Sequence, residues 1–122
     1  DSLVEVRSRR KAAWALDQLV TLADLARDST LDVLELRGSW AGAFGLPQFI
    51  PTSYRRWARD GNGDGRTDLF DTADAIASVA NYLRANGWGY ERSEQEAALF
   101  HYNNSRDYVE CILTVADKLR MQ

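Results

Sequence analysis

Apolar residues recur at helical spacing in every long segment of this chain, and no run alternates with a period of two for long enough to make a strand. That pattern restricts the fold to α-helices joined by loops, an all-α class. Residues 7–27 put Ala12, Leu16, Leu19, Val20, Ala23 and Ala26 at helical spacing, and Ser29 and Thr30 end the run. A short segment, LDVLELRG (31–38), follows. GSWAGAFGLPQFIP (38–51) carries three glycines and two prolines, so it is irregular and its backbone packs closely. TSYRRWA (52–58) reads as a short helix with Pro51 near its start and Thr52 or Ser53 near its cap. Residues 72–86 place Ala73, Ile76, Ala80 and Leu83 on one face, and Gly87 stops that helix. In SEQEAALFHY (93–102), Ser93 stands three before Glu96, which predicts a capping box. Residues 105–120 line Tyr108, Cys111, Ile112, Val115 and Leu119 along one side of a last helix.

A length of 122 residues with 45% hydrophobic content suits one domain, 1–122, with a real core and no linker or repeat. A net charge of −3 argues against nucleic acid as a partner. The basic runs, RSRRK (7–11) and Arg55, Arg56 and Arg59, read as solvated helix faces. Cys111, the single cysteine, cannot form an internal disulfide, and its place on an apolar stripe predicts a buried structural thiol. No apolar run approaches the ~18 residues of a membrane span. No signal peptide is present and the chain starts abruptly at Asp1, as a mature form or a fragment does.

Between the short helix and the one at 72–86 lies DGNGDGRTDLFD (60–71). Oxygen-bearing side chains alternate with glycines, as in a loop that wraps a hard cation. Asp60, Asn62, Asp64, the Arg66 carbonyl and Asp68 stand at positions 1, 3, 5, 7 and 9 of an EF-hand-like register, with Gly65 at the sharp turn. Position 12 is Asp71, shorter than the usual glutamate, and Asp74 competes as the last ligand; Asp71 is then free to cap the next helix. An all-oxygen set favours calcium over zinc or copper. The same residues also make ordinary solvated turns. No coordination position is evidently open for chemistry, so the expected role of the ion is structural.

The chain carries no Ser/His/Asp constellation, no zinc cluster and no phosphate-cradling loop; GAFGLP lacks the preceding strand and the spacing of a dinucleotide fingerprint. Its loops hold aromatic and amide side chains instead, among them Trp40, Gln48, Tyr82, Trp88, Tyr102, Asn103 and Tyr108. Such groups suit the C–H faces and hydroxyl edges of sugar rings, and by composition alone they equally suit a core.

The blocks GSWAGAFGLPQFIPTSY (38–54), DGNGDG (60–65), DAIASVANYLRANGW (74–88) and HYNNSRDYV (101–109), in that order, resemble the lytic murein transglycosylase B family over roughly residues 9–119. The resemblance implies a lysozyme-like helical domain with a calcium loop. It implies non-hydrolytic cleavage of the β-1,4 bond between N-acetylmuramic acid and N-acetylglucosamine in peptidoglycan glycan strands. It also implies a monomer working in the bacterial periplasm or cell envelope. Family members use one glutamic acid, which protonates the glycosidic oxygen and then takes the proton of the muramoyl 6-hydroxyl as that oxygen closes on C1 to leave a 1,6-anhydro end.

By the same resemblance Ser39 and Gln48 hydrogen-bond the sugar or the catalytic acid, and Tyr82, Tyr102, Asn103 and Tyr108 surround the cleavage point. Tyr108 also fits an apolar stripe. Gly42 and Gly45 let the loop pack close, and the calcium ligands become Asp60, Asn62, Asp64, the Arg66 carbonyl and Asp74, with Asp74 favoured over Asp71. The ion's expected task is to fix the helix carrying Tyr82 against the loop carrying Ser39 and Gln48. The family's catalytic glutamate stands about fifty residues before the GSWAGAFG block, which places it upstream of Asp1. Glu5 lies among charges that do not raise a carboxyl pKa, and Glu35 has no counterpart as a catalyst, so neither replaces it. Three readings follow: an active domain whose acid lies outside this sequence, a sugar-binding module without catalysis, and a calcium-stabilised interaction domain that does not bind sugar.

Overall fold

The computed structural model describes residues 2–28 and 30–122. They form five helices: α1 (Leu3–Arg27), α2 (Pro51–Trp57), α3 (Thr72–Ala85), α4 (Arg92–Tyr102) and α5 (Arg106–Arg120). The only extended pairing among them is two isolated antiparallel bridges, Gly38 with Phe44 and Phe44 with Phe49. The described residues gather into two compact units, one running to Ser78 and the other Val79–Gln122, with the division inside α3.

α1 starts four residues earlier than the apolar spacing indicates, because Ser2 caps it. The Ser2 hydroxyl accepts from Glu5 N at 3.2 Å and Ser2 N donates to the Glu5 carboxylate at 2.8 Å. Its buried face also differs from the expected stripe. Leu16, Leu19 and Val20 are exposed, whereas Gln18, Thr21 and Leu25 are buried. Gln18 explains the choice: its amide donates to Thr52 Oγ1 at 3.1 Å and accepts from Thr52 N at 3.1 Å, tying α1 to the first turn of α2. Ser29, expected to end this helix, lies outside the described residues.

α3 also rotates away from its apolar spacing. Ile76 is 65% exposed and Ala80 is exposed, while Asp74, Ala75, Ser78 and Tyr82 are buried. Two of those four are polar, so hydrophobicity alone selects the wrong face. α4 is entered through Glu91 rather than Ser93: Glu91 N donates to the Glu94 carboxylate at 3.1 Å, two residues before the expected Ser93–Glu96 pair. α5 is capped by Ser105, whose hydroxyl accepts from Tyr108 N at 3.2 Å. It buries Val109 and Leu113, which pack with Leu99 of α4, Leu83 and Trp88. Ile112, Val115 and Leu119 are exposed, and so is Cys111, against the expectation of a buried thiol. Cys111 falls between the two buried positions of α5 in sequence but on a different side of the helix.

In the first unit the buried apolar groups are Leu25, Phe44, Phe49, Tyr54, Leu69 and Ala75. The Phe44 and Tyr54 rings lie 5.5 Å apart, and Tyr54 donates its hydroxyl proton to the Thr67 carbonyl at 2.8 Å. Leu69 is 1% exposed and lies so close to Gly45 that a Cβ there would meet the Leu69 Cβ at 2.4 Å. Leu69→Ala should therefore lower stability by about 2–5 kcal/mol in urea unfolding. Ile76→Ala should cost less than about 0.5 kcal/mol, and equal losses for the two would contradict the assigned face of α3.

Candidate functional site

The acidic loop is organised by one carboxylate. Asp74 is 1% exposed, and its two oxygens accept three backbone N–H groups: Gly61 at 2.8 Å, Asn62 at 3.4 Å and Asp68 at 2.7 Å. Those bonds, the one from Asp68 N foremost, hold its pKa below the usual carboxylate value against the opposing effect of burial. One turn further along α3, the buried Ser78 hydroxyl accepts from Arg59 N at 2.9 Å. Asp74 and Ser78 thus grip Arg59–Asn62 from the same helix. Contact is so close that a Cβ on Gly61 would meet the Ala73 carbonyl oxygen at 2.3 Å, which is why residue 61 has no side chain.

The remaining acids fold the loop onto itself. Asp60 accepts from Gly63 N at 2.6 Å and Gly65 N at 2.8 Å, Asn62 from Asp64 N at 2.9 Å, and Asp64 from Arg66 N at 2.8 Å. Asp71 accepts from Ala73 N at 2.9 Å and Asp74 N at 3.1 Å, so it caps α3. Among the described residues no group of three or more Asp, Glu, His or Cys converges as a metal cage. The donor types at 60, 62, 64 and 74 are nevertheless hard oxygens in a glycine-rich loop, which suits a hard cation and no soft one.

The glycine-rich segment makes two successive tight loops. Ser39 N donates to the Ala43 carbonyl at 2.7 Å and the Ser39 hydroxyl accepts from Ala43 N at 3.2 Å. Phe44 and Phe49 then exchange both backbone hydrogen bonds, at 2.9 and 3.1 Å. Gln48 closes that second loop with φ +53°, a left-handed conformation that is uncommon outside glycine. Its side-chain amide donates to the Gly45 carbonyl at 3.0 Å. Both Ser39 and Gln48 are exposed, so each keeps hydrogen-bonding capacity for a ligand.

The tyrosines form a separate group within the second unit. The Tyr82 and Tyr102 rings meet edge to face at 5.0 Å, and Tyr102 stacks parallel to Tyr108 at 6.5 Å. Burial raises the pKa of Tyr82 and of Tyr102, the latter also through its neighbours Tyr108 and Tyr82. Tyr82 and Tyr102 therefore remain protonated at neutral pH. Asn103 follows Tyr102 at the end of α4 and is exposed, and the half-buried Tyr108 also packs against the Leu99–Val109–Leu113 core. Sequence reasoning missed His101. Its Nδ1 lies 2.7 Å from the Tyr82 hydroxyl, and its carbonyl accepts from that hydroxyl at 3.1 Å. The available signal was its position directly before Tyr102.

Neither glutamate weighed as an acid has the surroundings of one. Glu5 serves in the cap of α1, and the exposed Glu35 lines a cavity of about 720 Å³ together with Tyr54, Asp68, Leu69 and Phe70.

Comparison with known proteins places these features in a family. Residues 2–98 match the transglycosylase SLT domain, so the chain belongs to that family. Over 79 residues it is 49% identical to the membrane-bound lytic murein transglycosylase B of Escherichia coli (strain K12), covering 65% of this chain and 22% of the relative. The structure of the E. coli lytic transglycosylase Slt35 in complex with calcium superposes with a TM-score of 0.62 at 48% identity, covering 66% of this chain and 26% of that one. SltB3 of Pseudomonas aeruginosa in complex with NAG-anhNAM-pentapeptide gives 0.59 at 41% identity, covering 65% and 21%. The helical, lysozyme-like fold is therefore that of the lytic transglycosylases. The chain spans between about a fifth and a quarter of the length of these relatives.

If the left-handed backbone at Gln48 is held for the sake of its side chain, glycine should be tolerated there. Gln48→Gly is expected to stay within about 1 kcal/mol of the parent, relief of strain offsetting the lost bond to Gly45. Gln48→Val should lose more than about 1 kcal/mol. Chemical denaturation of the two variants checks this.

Proposed function

We propose that this chain is part of the catalytic domain of a peptidoglycan lytic transglycosylase of the bacterial cell envelope, working in the periplasm. The reaction is non-hydrolytic cleavage of the MurNAc-β-1,4-GlcNAc bond with formation of a 1,6-anhydromuramoyl end. The observation that carries this reading is membership of the transglycosylase family together with 49% identity to a murein transglycosylase. In this reading Ser39 and Gln48, in the first unit, and Tyr82, Tyr102, Asn103 and Tyr108, in the second, contact the glycan. The tyrosines supply ring faces for sugar C–H surfaces, and the Tyr102 and Tyr108 hydroxyls can hydrogen-bond sugar oxygens.

Calcium has a supporting part. Asp60, Asn62, Asp64, the Arg66 carbonyl and Asp74 would hold it, and the ion would offset the negative charge of Asp60, Asp64 and Asp74. Support comes from the donor types in the loop and from the relative solved with calcium. A second reading, a peptidoglycan-binding module without catalysis by this chain alone, is favoured by one observation. Glu5 is consumed by the cap of α1 and is not free to act as an acid.

Purified sacculi separate the two readings. Release of anhydromuropeptides by this chain supports the enzyme, retention without release supports the module, and absence of both sinks the sugar-binding assignment. Calcium at a hundred times its Kd should stabilise the chain by about 2.7 kcal/mol. That gain should vanish with chelator and in Asp74→Asn; a thermal midpoint indifferent to calcium would remove the ion from the account.

A further inference from the structure

The Tyr82 hydroxyl faces two groups of the same residue, the ring Nδ1 of His101 at 2.7 Å and its backbone carbonyl at 3.1 Å. A phenol has one proton to give, and a carbonyl oxygen can only accept. Both short contacts are attractive at once only if the phenolic proton goes to the carbonyl and the imidazole carries a proton on Nδ1, which it donates to the Tyr82 oxygen. The opposite assignment leaves the oxygen of the buried Tyr82 facing the carbonyl oxygen without a proton between them, an unfavourable arrangement in a partly buried site. His101 is exposed and is bonded to the buried Tyr82.

We propose that His101 is a positioning residue for the tyrosine group. Nδ1–H of His101 and its carbonyl clamp the Tyr82 hydroxyl from two sides, and this fixes the last turn of α4, and with it Tyr102, for contact with a peptidoglycan sugar. The inference rests on the proposed function for its ligand and on the local geometry for its clamp. Three consequences follow from the chemistry. The imidazole of the neutral chain is the Nδ1–H tautomer, and Nε2 is left as an acceptor on an exposed ring. Protonation of Nε2 leaves the clamp intact, since Nδ1 already carries its proton. Asparagine can reproduce the clamp, because its amide N–H stands near the place of Nδ1, whereas alanine cannot.

The test has two arms on the same chain. Nitrogen-15 correlation spectra of the histidine ring, taken at a pH where it is neutral, should show a protonated Nδ1 and an unprotonated Nε2. The reverse pattern overturns the clamp whatever the ligand is. Affinity for the disaccharide pentapeptide GlcNAc–MurNAc-pentapeptide is the second arm. His101→Ala should weaken it about fivefold, His101→Asn should stay within about twofold of the parent, and Tyr82→Phe combined with His101→Ala should be no worse than the worse single variant. Because His101 is exposed, the thermal midpoint of each histidine variant should stay close to that of the parent. Equal affinity of parent and His101→Ala overturns the positioning role, and loss in His101→Asn as large as in His101→Ala overturns the clamp as its cause. No binding by the parent chain would instead remove the sugar reading and, with it, the use proposed for this clamp, while the ring spectra still decide the clamp itself.

Discussion

The first unit hangs on a buried carboxylate. Asp74 sits in the first turn of α3 and receives N–H groups from both ends of the acidic loop, Gly61 and Asn62 on one side and Asp68 on the other. An anion at that place also meets the positive end of the helix dipole. With Ser78 one turn later holding Arg59, α3 fixes the path of the chain from Arg59 to Asp68. The consequence extends to the glycine-rich segment, since Leu46 N donates to the Leu69 carbonyl at 2.8 Å and Gly45 rests on the Leu69 side chain. Ser39 and Gln48 therefore owe their placement to a loop whose own shape is set by a helix several residues later.

How much of this could be read from the sequence depends on which residues do the packing. The helices were legible from apolar spacing and, in two places, from local signals: Pro51 at the start of α2 and Gly87 after α3. The buried faces of α1 and α3 were not, because their anchors are polar. Gln18 is buried for Thr52, Asp74 for three backbone amides and Ser78 for Arg59, partners distant in sequence that no apolar periodicity encodes. The start of α4 was missed by two candidate pairs of equal spacing, Glu91–Glu94 and Ser93–Glu96, of which the first closes the cap. Cys111 was misplaced because a stripe of five apolar residues conceals which two of its neighbours, Val109 and Leu113, meet α4.

The candidate site was legible to a different degree. The acidic register pointed to Asp60, Asn62 and Asp64, while the different hydrogen-bonding tasks of Asp71 and Asp74 are visible only in three dimensions. Asp71 accepts from the first N–H groups of α3, while Asp74 turns back onto the loop. The tyrosines were legible as a motif, and their contacts show why they belong together: an edge-to-face pair and a parallel stack share Tyr102. His101 was given no role because a lone histidine carries no spacing pattern; its contact is with a hydroxyl nineteen residues away.

The claim on which the account turns is that Asp74 is the hub of the loop, and amide hydrogen exchange tests it most directly. Gly61 and Asp68 are exposed residues in a loop, so on exposure alone their amides should exchange freely. The account predicts instead that both are protected to a degree comparable with the amides of α3, and that both lose protection together in Asp74→Ala. Exchange of Gly61 and Asp68 at the rate of open-loop amides in the parent chain would contradict it.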